Sequence, residues 1–377
     1  MSEYQYYEFL AIDRPLSEEE QVAVSRLSSR VEPHPRRAVF TYSYGDFPAS
    51  PEKVLAQYYD AMLYLANWGS RRLMFRFPEA LVDVDQMRQY QLETIDYPSD
   101  AVAVSTAGEY VILDIQFDEE GGGEWIEGEG RLDALVGLRD ALLQQDYRVL
   151  YLAWLKGLAT EDVDDGTLEP PVPPGLGGLT PALEAFVELF GVDADLVQAA
   201  AERSGERKPA SGDDLRRAIA QLSEEERDEF LLRLALGEPN LSTALKRRLG
   251  AFTPTQRGES SPRRTVEQLR AAAQALRERR RRERAARAEA KRMAELEALA
   301  KQGDAAWREV DTLIQQSQAQ AYDQAVRLLG KLKELAAYQK QEAVFQDRLS
   351  RICEQYSRRS ALMKRLRQAG LAAKEVG

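Results

Sequence analysis

The chain has 377 residues, with 62 Asp+Glu against 51 Lys+Arg and a single histidine and cysteine. One His34 and one Cys353 exclude a His/Cys zinc cluster and an intrachain disulfide, and no Cys–His nucleophile pair is expected; one free thiol fits a reducing compartment. The net charge of −11 is unevenly divided: residues 251–377 hold 27 basic and 16 acidic residues, residues 1–250 hold 24 and 46, so an acidic body precedes a basic tail. Such asymmetry marks an interaction arm for nucleic acid, an anionic surface or an acidic partner. No apolar run approaches the ~18 residues a bilayer span needs. The opening Met1-Ser2-Glu3-Tyr4 lacks a basic stretch followed by an apolar one. A cytoplasmic protein of two or three units is expected, with no membrane partner.

Residues 4–12 are aromatic and β-branched enough for a strand. Ser17 and Glu20 form an S-x-x-E capping box opening a helix to about Ser29. Phe40, Tyr42 and Tyr44 share one face of a strand over 38–44. Ser50-Pro51-Glu52 starts a helix with proline at its first position. That helix is predicted to reach about Trp68, burying Val54, Tyr58, Met62 and Leu65, and to stop at Gly69. Leu73, Phe75 and Phe77 alternate along the next strand, and a short helix falls near 84–91. Strands 101–106 and 109–117 meet at a tight turn, Ala107-Gly108. Helices follow at 131–144 and 147–158. The second carries Tyr147, Leu150, Tyr151, Trp154, Leu155 and Leu158 on one buried face. About five strands interspersed with helices predict an α+β fold, a mixed N-terminal sheet over 1–158 with helices on one face.

Residues 159–179 are acidic and then proline-rich, which reads as a linker. A small all-α module is predicted over 180–250, including a helix at 223–236 opened by a Ser223/Glu226 capping box. A second linker spans 251–262. From Arg263 to about Lys301 the chain contains neither Gly nor Pro and favours helix strongly. With a helical hairpin over about 304–335 and 336–369, it forms a basic, coiled-coil-like tail over 263–377.

The densest positive charge is Arg277, Arg279, Arg280, Arg281, Arg282, Arg284 and Arg287, followed by Lys291 and Arg292. A basic helix can neutralise phosphates in a major groove. Its apolar seam, however, lapses at Arg280 and Arg287, and Glu278–Arg282 and Glu283–Arg287 are helix-supporting i,i+4 pairs. A solvated or protein-facing helix is the leading interpretation, with nucleic acid second. Gly175-Leu176-Gly177-Gly178 satisfies neither dinucleotide nor P-loop spacing. An EF-hand aligned on Gly166 would put Val163 and Val172 at ligand positions. Asp46, Asp114 and Asp118 form a candidate Mg²⁺ or acid–base set, and Arg71, Arg72 and Arg76 pair with carboxylates or hold an anion. Trp125 and Ile126, an apolar pair in an acidic loop, are a candidate docking point. No motif assigns a catalytic residue, a cofactor or a bound metal.

Three stretches resemble a bacterial family of uncharacterised proteins: Tyr4-Gln5-Tyr6-Tyr7-Glu8-Phe9, Tyr64-Leu65-Ala66-Asn67-Trp68-Gly69-Ser70-Arg71-Arg72-Leu73-Met74, and Glu169-Pro170-Pro171-Val172-Pro173-Pro174-Gly175-Leu176-Gly177. The family's genes often adjoin one for a SWIM zinc-finger protein. The resemblance spans most of the chain and implies a bacterial cytosolic setting and a zinc-finger protein as partner. It brings no catalytic motif. The expected function is a cytosolic adaptor or scaffold that binds a protein partner. The alternatives are a nucleic-acid-binding protein using the Arg-rich helix 277–292, and a carboxylate-dependent metal enzyme.

Overall fold

The computed structural model describes residues 3–28, 31, 34–94, 101–118, 127–207, 211–238, 240–250 and 262–371. The chain has an α+β fold and divides into two compact units, 1–277 and 278–377. The first unit opens with β1 (Gln5–Leu10), α1 (Glu18–Ser25), β2 (Arg37–Tyr42), α2 (Pro51–Tyr58), β3 (Ala61–Ala66), β4 (Arg71–Pro78), α3 (Val84–Arg88), β5 (Val102–Ala107) and β6 (Tyr110–Phe117). The strands form one six-stranded sheet in the order β2-β1-β3-β4-β6-β5. Each pairing is antiparallel, so the sheet is not mixed. The predicted capping box at Ser17 and Glu20 and the hairpin turning at Gly108 (φ 64°) are both present.

One predicted element is overturned. The helix expected to reach Trp68 ends at Tyr58, and Ala61–Ala66 is a central strand between β1 and β4. Each β3 residue except Tyr64 is buried. A strand covered on both faces shows no polar alternation, and its short apolar run reads equally well as buried helix. Tyr59 turns the chain into extended geometry, and the Asp60 carboxylate then accepts the Ile12 and Asp13 backbone N–H groups at 2.7 and 2.9 Å. Arg76 donates to the same carboxylate at 2.8 Å.

Both faces of the sheet are covered, where one was expected. Tyr7, Phe9, Phe40, Met62 and Met74 pack with Val54, Leu55 and Tyr59 beneath α1 and α2. Leu63, Leu73, Phe75, Phe77, Leu113 and Ile115 face the larger core. That core takes in α4 (Arg131–Leu135), α5 (Gly137–Leu143), α6 (Arg148–Thr160), α7 (Pro181–Phe190) and α8 (Ala194–Ala201), with Val266, Leu269, Ala273 and Leu276 from further along the chain. Each residue of α6 from Arg148 to Leu158 is buried. The single stripe read from sequence is therefore too narrow, because α6 is enclosed on all sides.

Residues 159–179 are packed as well. Val163 and Leu176 are buried, and Glu169 is 2 % exposed. Prolines remove N–H donors from this stretch but leave its carbonyls to be satisfied. The Tyr90 hydroxyl donates to the Pro171 carbonyl at 3.0 Å, and the Ser204 hydroxyl to that of Pro173 at 2.8 Å. The Arg148 guanidinium donates to those of Gly175 and Gly178 at 2.9 and 3.2 Å. Leu168 bridges Thr265, and Glu169 and Arg264 form a buried ion pair at 2.6 Å. Composition that reads as a linker is here a strap held by side-chain donors.

After α8 come α9 (Gly212–Ile219), α10 (Glu224–Ala235), α11 (Leu241–Gly250) and the 37-residue α12 (Val266–Gln302). The five helices of 180–250 do not share one core. α7 and α8 belong to the sheet core, while α9 to α11 share a separate small cluster, Ala218, Leu222 and Leu249 with Leu215 and Leu245. Residues 251–261, most of the second expected linker, lie outside the described residues.

The second unit holds α13 (Asp304–Gln315), α14 (Ala319–Tyr338), α15 (Glu342–Gln355) and α16 (Ser360–Gln368). Val310, Ile314, Leu329, Leu332, Phe345, Leu349, Leu362 and Leu366 form its core with Leu296 and Leu299. The expected two-helix hairpin is thus four helices. Two of the breaks lie at Ser317 (φ 57°) and Lys340 (φ 56°). Non-glycine residues in left-handed geometry leave no Gly or Pro signal in the sequence.

Candidate functional site

The Arg-rich stretch is divided by its surroundings. Arg277 pairs with Asp193 at 2.7 Å and Asp195 at 3.2 Å, which anchors α12 against the N-terminus of α8. Residues 281–290, by contrast, are exposed on every side of the helix. Several pairs here are loose: Arg279–Glu283 at 3.6 Å, Arg282–Glu278 at 3.9 Å, and Arg292 with Glu289 at 3.7 Å and Glu334 at 3.5 Å. Exposed pairs at such distances contribute about 0–1 kcal/mol. At 100° per residue, Arg280, Arg284, Arg287 and Lys291 fall within about 60° of one another over about 16 Å of helix. Glu278 and Glu289 lie on the far side. The run therefore contains one cationic stripe, with Arg281, Arg279 and Arg282 directed elsewhere.

A second surface was not singled out from the sequence. No residue of α10 is buried. Leu231, Leu232, Leu234 and Leu236 are 63, 56, 65 and 76 % exposed. The helix begins in a Ser223/Glu226 capping box with Glu224, Glu225 and Glu226 in its first turn, and Glu226 pairs with Arg248 of α11 at 2.8 Å. The Arg247 guanidinium donates to the Ala80 carbonyl at 2.8 Å, fixing α11 to the sheet side of the unit. Burying one leucine contributes about 1.5–3 kcal/mol, so four exposed leucines at one helix end are a large unused apolar surface. The available signal was the run Phe230-Leu231-Leu232-Arg233-Leu234-Ala235-Leu236. An exposed apolar cluster of this kind marks an interaction surface, and this module's small core leaves it uncovered.

A third feature lies on the sheet face covered by α1 and α2. Tyr7, Tyr64, Arg72 and Gln116 are register neighbours across β1, β3, β4 and β6 and form one row. They floor a recess of about 240 Å³, walled by Phe47, Trp68 and Asp46. Tyr7 and Tyr64 rings are 4.5 Å apart, and Tyr7 and Phe47 are stacked at 5.0 Å. The buried Gln5 side chain organises the rim. Its carbonyl accepts the Tyr7 and Tyr64 hydroxyls at 2.9 and 3.3 Å, and its amide donates to Asp46 at 3.2 Å. Arg72 donates through Nε and Nη2 to Asp114 at 2.8 and 2.5 Å, and through Nη2 to Glu52. Burial works against the Arg72 charge, but the hydrogen bonds and attraction of Asp114 and Glu52 prevail and raise its pKa. Burial, then neighbouring Tyr7 and the carboxylates of Asp118 and Asp46, push Tyr64 above the ordinary phenol range.

The carboxylates singled out from sequence are not gathered together. Asp114 is committed to Arg72, Asp46 accepts the Gln5 amide, and only Asp46 of the three lines the recess. Among the described residues, no group of three or more His, Cys, Asp or Glu is arranged to hold a metal. Arg76 is paired with Asp60 at 2.8 Å, inside the fold. Trp125 and Ile126 lie outside the described residues. No family model, curated protein or solved structure matches this chain.

Proposed function

We propose that the protein is an adaptor that docks a protein partner on the leucine-rich end of α10. The carrying observation is the exposure of Leu231, Leu232, Leu234 and Leu236 on a helix with no buried residue. The chemistry specifies the partner: an apolar recess with a basic rim, to receive the leucines and face Glu224, Glu225, Asp228 and Glu229. The zinc-finger protein implied by the sequence resemblance is the partner to test first. A photo-reactive residue at Leu231 or Leu234, in the native host, should yield one discrete protein adduct. That adduct should disappear on adding Leu232→Ser and Leu236→Ser. No adduct, or one that survives the double substitution, overturns the reading.

The cationic stripe favours a second reading, in which α12 contacts duplex nucleic acid through Arg280, Arg284, Arg287 and Lys291. Four phosphate contacts would give a log–log salt slope of about −3.6. Reversing all four to Glu should abolish retention on duplex DNA or RNA. Retention unchanged by the reversal removes nucleic acid from the account.

A further inference from the structure

The recess floored by Tyr7, Tyr64 and Arg72 serves neither the adaptor reading nor the basic stripe. Its lining is mixed, with the aromatic residues Tyr7, Phe47, Tyr64 and Trp68 set among polar groups, and Trp68 remains 40 % exposed. Aromatic faces carry negative electrostatic potential and attract cations within about 6 Å of a ring centre. The charges around the recess point the same way. Arg72 is its one basic lining residue among the described residues, and both Asp114 and Glu52 bind its guanidinium. Asp46 lies at the wall and Asp118 acts on Tyr64 from nearby. Four carboxylates thus accompany one guanidinium whose charge is already spent. An anion would have to displace Asp114 or Glu52 to reach Arg72, whereas a cation meets aromatic faces and the Asp46 carboxylate directly.

We propose that this recess binds a small organic ammonium ion, with the Tyr64 and Trp68 rings beside the alkylated nitrogen, the stacked Tyr7 and Phe47 rings behind them, and Asp46 as its counter-charge. The volume of about 240 Å³ lies below the ~300–1,000 Å³ usual for drug-sized ligands. It suits a head group: a methylated ammonium, standing free or at the end of a longer chain that leaves past Trp68. Gln5 is the positioning residue. By accepting both tyrosine hydroxyls it fixes the two rings at their 4.5 Å separation, and its amide orients Asp46.

The test uses the full chain and three probes: tetramethylammonium, its neutral isostere tert-butanol, and benzoate. Binding is followed by tryptophan emission, with Trp68→Phe identifying the part of the signal that belongs to the recess. Tetramethylammonium should give a saturable change at least about tenfold tighter than tert-butanol. Asp46→Asn, at an exposed position that leaves the packing intact, should weaken it about fivefold while leaving tert-butanol unchanged. Equal affinity for the charged and neutral probes makes the recess a plain apolar hollow and overturns the proposal. So does preference for benzoate, which would place an anion on Arg72, and so does a response that never saturates.

Discussion

Arg264 and Arg284 are twenty residues apart and chemically alike, yet they occupy opposite extremes of environment. Arg264 is 4 % exposed, donates at 2.6 and 2.9 Å to Glu169 and at 3.1 Å to the Ala199 carbonyl, and is sealed in with Tyr151, whose hydroxyl also donates to Glu169. Arg284 lies in the stretch of α12 where each residue is exposed. The first closes the strap of 159–179 onto the start of α12. The second leaves the fold untouched and is available to something outside it. Charge density along a sequence therefore does not locate function; the separation from a buried partner does.

The largest effect that tests this contrast is at Arg264. Arg264→Ala leaves the Glu169 carboxylate buried without its cation and should cost about 3–5 kcal/mol, read as a lower midpoint in urea unfolding. A loss below about 1 kcal/mol would show that water reaches Glu169 and that the strap is not sealed. Glu8 should give a smaller, pH-dependent effect. Its side chain is fully buried on β1, accepting from the Tyr6 hydroxyl at 3.0 Å and lying 3.2 Å from Arg37. Burial raises its pKa, against the pull of Tyr6 and Arg37. A carboxyl with a raised folded pKa supports the fold while protonated and weakens it as pH rises through that value. Glu8→Gln should therefore raise Tm at pH 7 relative to the native chain and give no gain near pH 4. An equal gain at both pH values would mean the carboxylate is not the cause.

The smallest expected effects are at the surfaces proposed for partners. Arg284→Ala with Arg287→Ala should leave stability within about 0.5 kcal/mol, as should Leu231→Ser with Leu234→Ser. A clear loss from the leucine pair would mean that α10 is already covered within the protein, and the docking surface would vanish.

Signals that act over a few residues are legible in the sequence. The capping boxes at Ser17 and Ser223, Pro51 at a helix start, and the Ala107-Gly108 hairpin all appear as expected. Elements whose outcome burial decides are not so legible. Ala61–Ala66 is apolar whether helix or strand, and only its place between β1 and β4 settles which. The strap at 159–179 has the composition of a linker because its satisfying donors, Tyr90, Ser204 and Arg148, are remote in sequence. The exposure of the α10 leucines is not visible in sequence, because it depends on how little the surrounding module encloses. The row Tyr7–Tyr64–Arg72–Gln116 needed the strand register, because its members come from four strands spread over 110 residues.

The all-round burial of α6 also bears on how the chain is made. By the time residues 148–160 leave the ribosome, the whole sheet has been synthesised, including β5 and β6, which pack against α6. The clasp from Arg264 to Leu276 is still about a hundred residues away. For that interval, at ~5–20 residues per second, a helix with no polar face waits several seconds with part of its surface uncovered. A nascent chain stalled between these points should recruit holding chaperones. One released after Leu276 should not. The same arithmetic sets where the molecule can be divided: a cut at the proline-containing stretch near 262 strips the lid from α6, whereas a cut beyond Arg277 leaves it closed.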